Sequence, residues 1–338
     1  MREKSRPQDL TNKKVVSKGK NSRRTYRNFL PSNSDLASRH SAEHETAAHV
    51  KLKGEVMKIG FISMPFSGHL YPMTALARRL QARGHEVVFF GVPDAEPFAR
   101  AAGLDFVSYG ETEFPVGSID KFYSSVATMR GFEVVRHTLM DLNPELTRVS
   151  FEYLPEKLTT TGVEAVLIDT IHFYMELIPL SLSIPYVHIW NVLNLDFSGA
   201  TPPSLFSSPL DRSPEGLKRN AEHIQQMGAI LGSLQEVARS YAEKAGLQID
   251  WNNPLATASK IAAISQTPKE FDFPGIPWPA QFHYAGPFHD DKGRSPIPFP
   301  WEHLTGKPLI YASLGTLVNG LEDVYQHILK AVEPMEDV

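Results

Sequence analysis

The sequence predicts an α/β fold, a Rossmann-like parallel sheet with helices on both faces. Three observations predict it. Short apolar runs of strand length recur at 57–64, 85–91, 164–170 and 184–190. Segments with apolar residues at threes and fours lie between them. A glycine stops the first such segment. Composition agrees: 338 residues, 42% hydrophobic and 21% charged, is ordinary for a folded chain, and the length suits two domains.

The elements follow in order. Residues 1–56 carry a net charge of +7 and the remainder −11. The first stretch has no apolar stripe and reads as a disordered basic extension. Met57 opens MKIGFISM, which reads like a chain start and as a first strand. Over 69–84, Leu70, Met73, Leu76, Ala77 and Leu80 share one helical face, and Gly84 ends the helix. HEVVFFG (85–91) is a second strand, followed by a short helix near 94–102 and a strand at 104–108. Helical segments over 119–160 lead to the strand EAVLIDT (164–170). A helix over 172–182 precedes IPYVHIW (184–190), again a strand.

Residues 214–246 read as one long amphipathic helix, with Leu217, Ile224, Leu231, Leu234, Ala238, Tyr241 and Ala245 on its stripe. It is either a cap beside a pocket or a helix that packs on the sheet. KIAAISQ (260–266) is a late strand, and the Pro-rich 273–288 ends in a turn flanked by His283 and His289. This gives a first domain over 57–286. Residues 287–307 have linker composition, with Pro287, Pro296, Pro298 and Pro300 among charges. PLIYASLG (308–315) starts a new strand and glycine turn, with a helix from 319 to 332, so 308–338 reads as the first βα unit of a second, incomplete Rossmann-like domain.

Several function classes are excluded. With no cysteine there is no disulfide framework, Cys-ligated metal or thiol catalysis. The acidic body is a poor partner for nucleic-acid phosphates. Neither GxGxxG nor the P-loop pattern occurs, and HExxH is absent. The uncharged stretch 177–195 is long enough to cross a membrane, but Pro179 and Pro185 interrupt it, so it reads as helix end, turn and buried strand.

Three turns carry chemistry. PFSGHLYP (65–72) follows the first strand at the carboxyl edge, where open α/β sheets bind ligands. There Gly68 permits a tight turn, and His69 is either a base facing the crevice or a histidine packed at a helix start. Asp169 ends the strand EAVLID on the same edge. Alone it reads as an N-cap for the helix near Ile171. With His69 it reads as the partner that fixes the imidazole tautomer. In SLGT, Ser313 to Thr316, backbone N–H groups and hydroxyls suit a diphosphate. His172 and His188 lie near the crevice edge and suit a pocket wall.

These motifs, in this order, resemble the family-one nucleotide-sugar-dependent glycosyltransferases of GT-B fold, in particular the macrolide-glycosyltransferase-like and UDP-glucuronosyltransferase-like group. The resemblance runs from Met57 to the chain end and rests on 57–91, VLIDT (166–170), AGPF (285–288) and PLIYASLGT (308–316). It implies that His69 is the catalytic base, Asp169 its partner, and Ser313, Gly315 and Thr316 the contacts to a UDP-sugar donor. It implies inverting transfer of a hexosyl group to a hydroxyl of a lipophilic small molecule. Phe66, Gly68, His172, Trp190 and Asn191 are the acceptor-pocket candidates, since the loops after 114 and 190 are rich in aromatic and apolar residues. No cofactor or metal, no nucleic acid and no stable membrane span are expected, and the location is expected to be cytoplasmic. The family carries most of its donor signature in a C-terminal domain that this sequence only begins. The chain alone is therefore expected to bind donor weakly and transfer little. The alternative is a non-catalytic acceptor-binding module, or one half of a split enzyme that needs a donor-binding partner.

Overall fold

The computed structural model describes residues 56–335. The basic extension expected at 1–56 lies outside the described residues, apart from its last position. Seven strands form one fully parallel sheet: β1 Lys58–Ile62, β2 Glu86–Gly91, β3 Asp105–Ser108, β4 Ala165–Asp169, β5 Tyr186–Trp190, β6 Ala263–Ser265 and β7 Phe282–Tyr284. Their order is β3-β2-β1-β4-β5-β6-β7. The chain steps outward from β1 to β3, then returns to the far side of β1 with β4. That reversal opens a crevice at the carboxyl ends of β1 and β4.

Strand alternation sorts the core into two layers. Phe61, Phe89 and Leu167 face helix α1 (Ser67–Gln81), where Leu70 and Met73 are fully buried. Ile62, Phe90, Val166 and Ile168 face the other way. Leu146, Leu154 and Leu158 cover them from the later helix Asn143–Thr161. Between these two helices the chain forms α2 (Glu96–Ala101), α3 (Ser118–Val126) and α4 (Phe132–Arg136), with a π-helical stretch over His137–Leu142, so Asn143–Thr161 is α5. A short α6 (Leu177–Ser181) replaces the longer helix expected over 172–182, because 170–176 is spent on turns.

The amphipathic stretch at 214–246 is two helices, α7 (Pro214–Ile230) and α8 (Gly232–Lys244), broken at Leu231. The break rotates the buried face. Leu217, expected on the stripe, is 42% exposed, while Met227, Ile230, Leu234, Ala238 and Ala242 are buried. β7 is a strand that the Pro-rich composition of 273–288 hides, since three residues are too few to show a period.

The linker-like stretch after 286 begins docked. Phe288 is buried against the α1 layer, Arg78 Nε donates to Asp290 Oδ2 at 2.7 Å, and Arg79 donates to the His289 carbonyl. The expected strand at 308–315 does not form. It takes up no regular structure and has no strand partner among the described residues, and Tyr311 is 80% exposed. A lone strand has nothing to satisfy its ladder groups except water, so the sheet-forming residues form no strand. The helix that follows does form, as α9 (Glu322–Val332).

Gly110, just past β3, holds φ at +67°, and a Cβ there would meet Val149 Cγ1 of α5 at 2.5 Å. Gly110→Ala is therefore expected to cost about 2–4 kcal/mol from left-handed backbone strain and overpacking together. Urea unfolding monitored by circular dichroism measures it, and a loss below about 1 kcal/mol would show that the α5 contact yields freely.

Candidate active site

The crevice at the switch point brings together residues that lie 100 apart in sequence. β1 ends at Ile62, and the chain runs through Ser63 to Phe66 into α1. His69 sits in the first turn of α1, where its N–H donates to the Phe66 carbonyl at 2.8 Å. β4 pairs in parallel with β1 (Ile62 opposite Ile168), so Asp169 arrives beside that turn. His69 Nδ1 lies 2.7 Å from Asp169 Oδ2.

Asp169 is wholly buried, which an ionised carboxylate tolerates only with donors around it. Ser63 Oγ and the Met64 N–H both donate to Oδ2, at 3.2 and 3.3 Å, and the Ile171 N–H donates to Oδ1. Burial alone raises its pKa, but the His69 charge and hydrogen bond, with the Met64 N–H, outweigh that and hold it below the ordinary carboxylate value. His69 shows the reciprocal balance. Burial disfavours the imidazolium, yet the Asp169 charge and hydrogen bond prevail and raise its pKa above 6.5. An acceptor at Nδ1 fixes that nitrogen as the N–H and leaves Nε2 as the basic one. The side chain is 15% exposed and lines the crevice.

The crevice has a volume of ≈ 380 Å³. Phe66, Gly68 and His69 form one wall, Asn191 and Val192 a second, and Leu314 with Thr316–Val318 a third. The SLGT turn thus lies across from the histidine. Ser67 Oγ and Thr316 Oγ1 are 3.5 Å apart, Gly315 holds φ at +81°, and its N–H donates to Ser313 Oγ. Asn191 stands with its side-chain amide buried and without a hydrogen-bond partner on either Oδ1 or Nδ2.

Two expectations are corrected. His172 does not line the crevice: it is 1% exposed, with its backbone N–H donating to the Asp169 carbonyl at 3.0 Å. Burial drives its pKa down to about 4, with Asp169 pulling the other way, so it is neutral. Phe114, where the other expected pocket loop begins, packs into the α5 layer instead. Trp190 lines a second, larger cavity of ≈ 400 Å³ on the α7–α8 side of the sheet. His188 lines it too, with Glu176, Trp251 and Trp278, which sequence reading did not single out. The available signal was the alternation in IPYVHIW, which puts His188 and Trp190 on one face. Among the described residues, no group of three His, Cys, Asp or Glu could hold a metal ion, and no helix is long and apolar enough to cross a membrane.

No protein-family profile matches the chain. A zeaxanthin glucosyltransferase of Pantoea ananas is 25% identical over 275 residues, covering 81% of this chain and 63% of that protein. A shorter match, 31% over 93 residues, is to an N-acetylglucosamine transferase of Halothermothrix orenii that acts on a pyrophosphoryl-undecaprenol, and covers 27% of this chain and 25% of that one. Among solved structures, the glycosyltransferase of kitacinnamycin superposes with a TM-score of 0.58 at 17% identity, over 84% of this chain and 64% of its own. The spinosyn forosaminyltransferase gives 0.52 at 19%, over 83% and 64%. These likenesses establish the fold as that of the GT-B proteins. In sequence and fold together, the chain is a homologue of the GT-B glycosyltransferases. It spans less than two thirds of the length of the relatives it matches.

Asp169→Asn is expected to bring the His69 pKa from above 6.5 to below it, because burial then acts unopposed. Histidine NMR titration reads this directly, and an unchanged pKa would detach Asp169 from the charge on the ring. The sign carries to stability. With the folded value raised, the charged pair stabilises fully below the unfolded value of about 6.5, and that contribution fades as pH rises through the folded value.

Proposed function

We propose that the chain serves a glycosyltransferase that moves a hexosyl group from a UDP-sugar to a hydroxyl of a lipophilic small molecule, with inversion. The observation that carries this reading is the 2.7 Å contact of His69 Nδ1 with a fully buried Asp169, on a histidine that lines the switch-point crevice. The acceptor hydroxyl donates to Nε2, which takes its proton as the oxygen attacks the anomeric carbon. The bond from that carbon to the diphosphate breaks, and the diphosphate leaves with the electron pair. Asp169 stabilises the imidazolium formed. The N–H groups at 313–316 and the hydroxyls of Ser313 and Thr316 meet charge growing on the diphosphate. The unpartnered amide of Asn191 is placed to hydrogen-bond a sugar or acceptor hydroxyl. Such a donor, with a chain that lacks cysteine, suits a cytoplasmic setting.

A second reading has its own observation. Residues 308–314 pair with no strand among the described residues, so the donor side rests on one turn beside Ser67. On this reading the chain binds acceptor and relies on a partner for donor.

Labelled UDP-glucose and a panel of lipophilic alcohols test both. With wild-type turnover as reference, His69→Ala is expected to lower kcat by about 10²–10⁴-fold and leave donor affinity unchanged, since the base acts on the acceptor proton. The rate should rise with pH on a limb centred above 6.5, because the base must be neutral and its pKa is raised. Acceptor bound without sugar transferred supports the second reading. Retained turnover in His69→Ala removes the dyad from the chemistry.

A further inference from the structure

The ≈ 400 Å³ cavity lies one residue away from the crevice along two strands. Thr170 and Trp190 line it, while their chain neighbours Asp169 and Asn191 belong to the dyad and the crevice. Its size is that of a small-molecule site, and its walls are dominated by aromatic and aliphatic groups. Three of the four tryptophans, Trp190, Trp251 and Trp278, line it.

Its charge is one-sided. No Lys or Arg lines it, whereas Glu176, Asp196 and Asp250 do. Asp196 is committed to its own loop, and Asp250 is exposed to water, whereas Glu176 is buried. Asp196 accepts from the Ser198 and Thr201 N–H groups and the Thr201 hydroxyl, and Asp250 accepts from the Asn252 N–H. Glu176 differs. Its Oε1 accepts from Thr257 Oγ1 at 2.6 Å, but Oε2 stands 3.8 Å from His188 Nε2, beyond a hydrogen bond. A carboxylate oxygen so placed has capacity for a further donor from the cavity. Burial raises its pKa, but His188 and Thr257 outweigh that and keep it ionised. Two residues before it, Tyr174 also lines the cavity and holds φ at +67°. A non-glycine residue kept there marks a turn whose shape is imposed by its surroundings.

We propose that this cavity holds the apolar body of the acceptor and that Glu176, backed by Thr257 and His188, takes a hydroxyl remote from the reacting one. The site then selects neutral, hydroxylated lipophiles and turns away carboxylic acids of the same shape. Calling the ligand the acceptor rests on the transferase reading. The binding preference does not, and it is measured without donor.

Retinol and retinoate are the probes, being one polyene with a hydroxyl or a carboxylate at its end. Quenching of tryptophan fluorescence in the full chain at about pH 7.5 gives both dissociation constants, with retinoate ionised. Retinol is expected to bind at least about tenfold more tightly than retinoate, since like charges brought together in a desolvated site repel strongly. In Glu176→Gln that ratio should shrink at least about threefold, mainly through tighter retinoate binding. Gly228→Phe is the second variant. Gly228 lies on α7 at the cavity wall, and a Cβ there meets nothing within 4 Å. It is expected to weaken retinol binding at least about fivefold without lowering the melting temperature, since replacing a helical glycine does not weaken a helix. Equal affinities for the two probes in wild type, or a ratio unchanged in Glu176→Gln, would overturn the selection. No quenching by either probe, or full retinol affinity in Gly228→Phe, would overturn the cavity as the site. Probe selection as expected with no sugar transfer in the donor assay would leave this inference standing while the transferase reading fails.

Discussion

Asp169 is a carboxylate with no exposure to water, and the site is organised around keeping it ionised there. An isolated buried carboxylate is costly enough that it would take up a proton instead. Four groups prevent that: the Ser63 hydroxyl, the N–H groups of Met64 and Ile171, and the His69 ring. Ser63 and Met64 belong to the chain just past β1, and Ile171 to the chain just past β4. The two strands must therefore be neighbours, in register, for the charge to be housed at all. The parallel pairing of Ile62 with Ile168 supplies that register. Removing His69 would leave the remaining donors to hold the charge, and truncating one partner of a buried pair is far more damaging than never having built it.

The same pairing explains why the crevice is where it is. Two hydrophobic layers clamp the sheet, one under α1 and one under α5, and both are closely filled around β1, β2 and β4. Beyond β4 the packing is less complete. α7 and α8 are separated by the break at Leu231, and the segments 249–259 and 277–281 span the gap as loops. Loops cannot interdigitate with the sheet as a ridge of helix side chains does, and the space left over is the larger cavity. A tight half that fixes the His69–Asp169 geometry thus adjoins a looser half with an open cavity.

His172 and His69, on turns after two neighbouring strands, show how two histidines part company. His172 lies three residues after Asp169 and has Coulombic contact with both Asp169 and His69, yet its deep burial leaves it neutral, with both ring nitrogens unpartnered. His69 is also well enclosed but has a carboxylate oxygen at 2.7 Å, and that one contact reverses the sign of its shift. Position relative to one carboxylate oxygen, and not residue type or distance in sequence, separates the histidine with a raised pKa from the neutral one.

Most of the fold was legible in the sequence because its cause is local. Strand-length runs such as MKIGF and EAVLID and the stripe Leu70–Met73–Ala77 are set by burial on one or both faces, and burial leaves a period. His69, Asp169 and the SLGT turn were legible for a related reason: each stands at the carboxyl end of a strand-like run. The loop turns and pairings beyond β4 were not legible. β7 is too short for a period, Leu217 fell off the buried face when the helix broke, and 308–314 failed to become a strand for want of a neighbour. Sequence by itself determined which residues reach the sheet's carboxyl edge, since alternation and helix spacing are properties of adjacent residues. Only the tertiary structure decided that Glu176, Thr257, Trp251 and Trp278 share one cavity with Trp190, because contacts between residues far apart in sequence are fixed by how the whole chain packs and leave no mark in any local pattern.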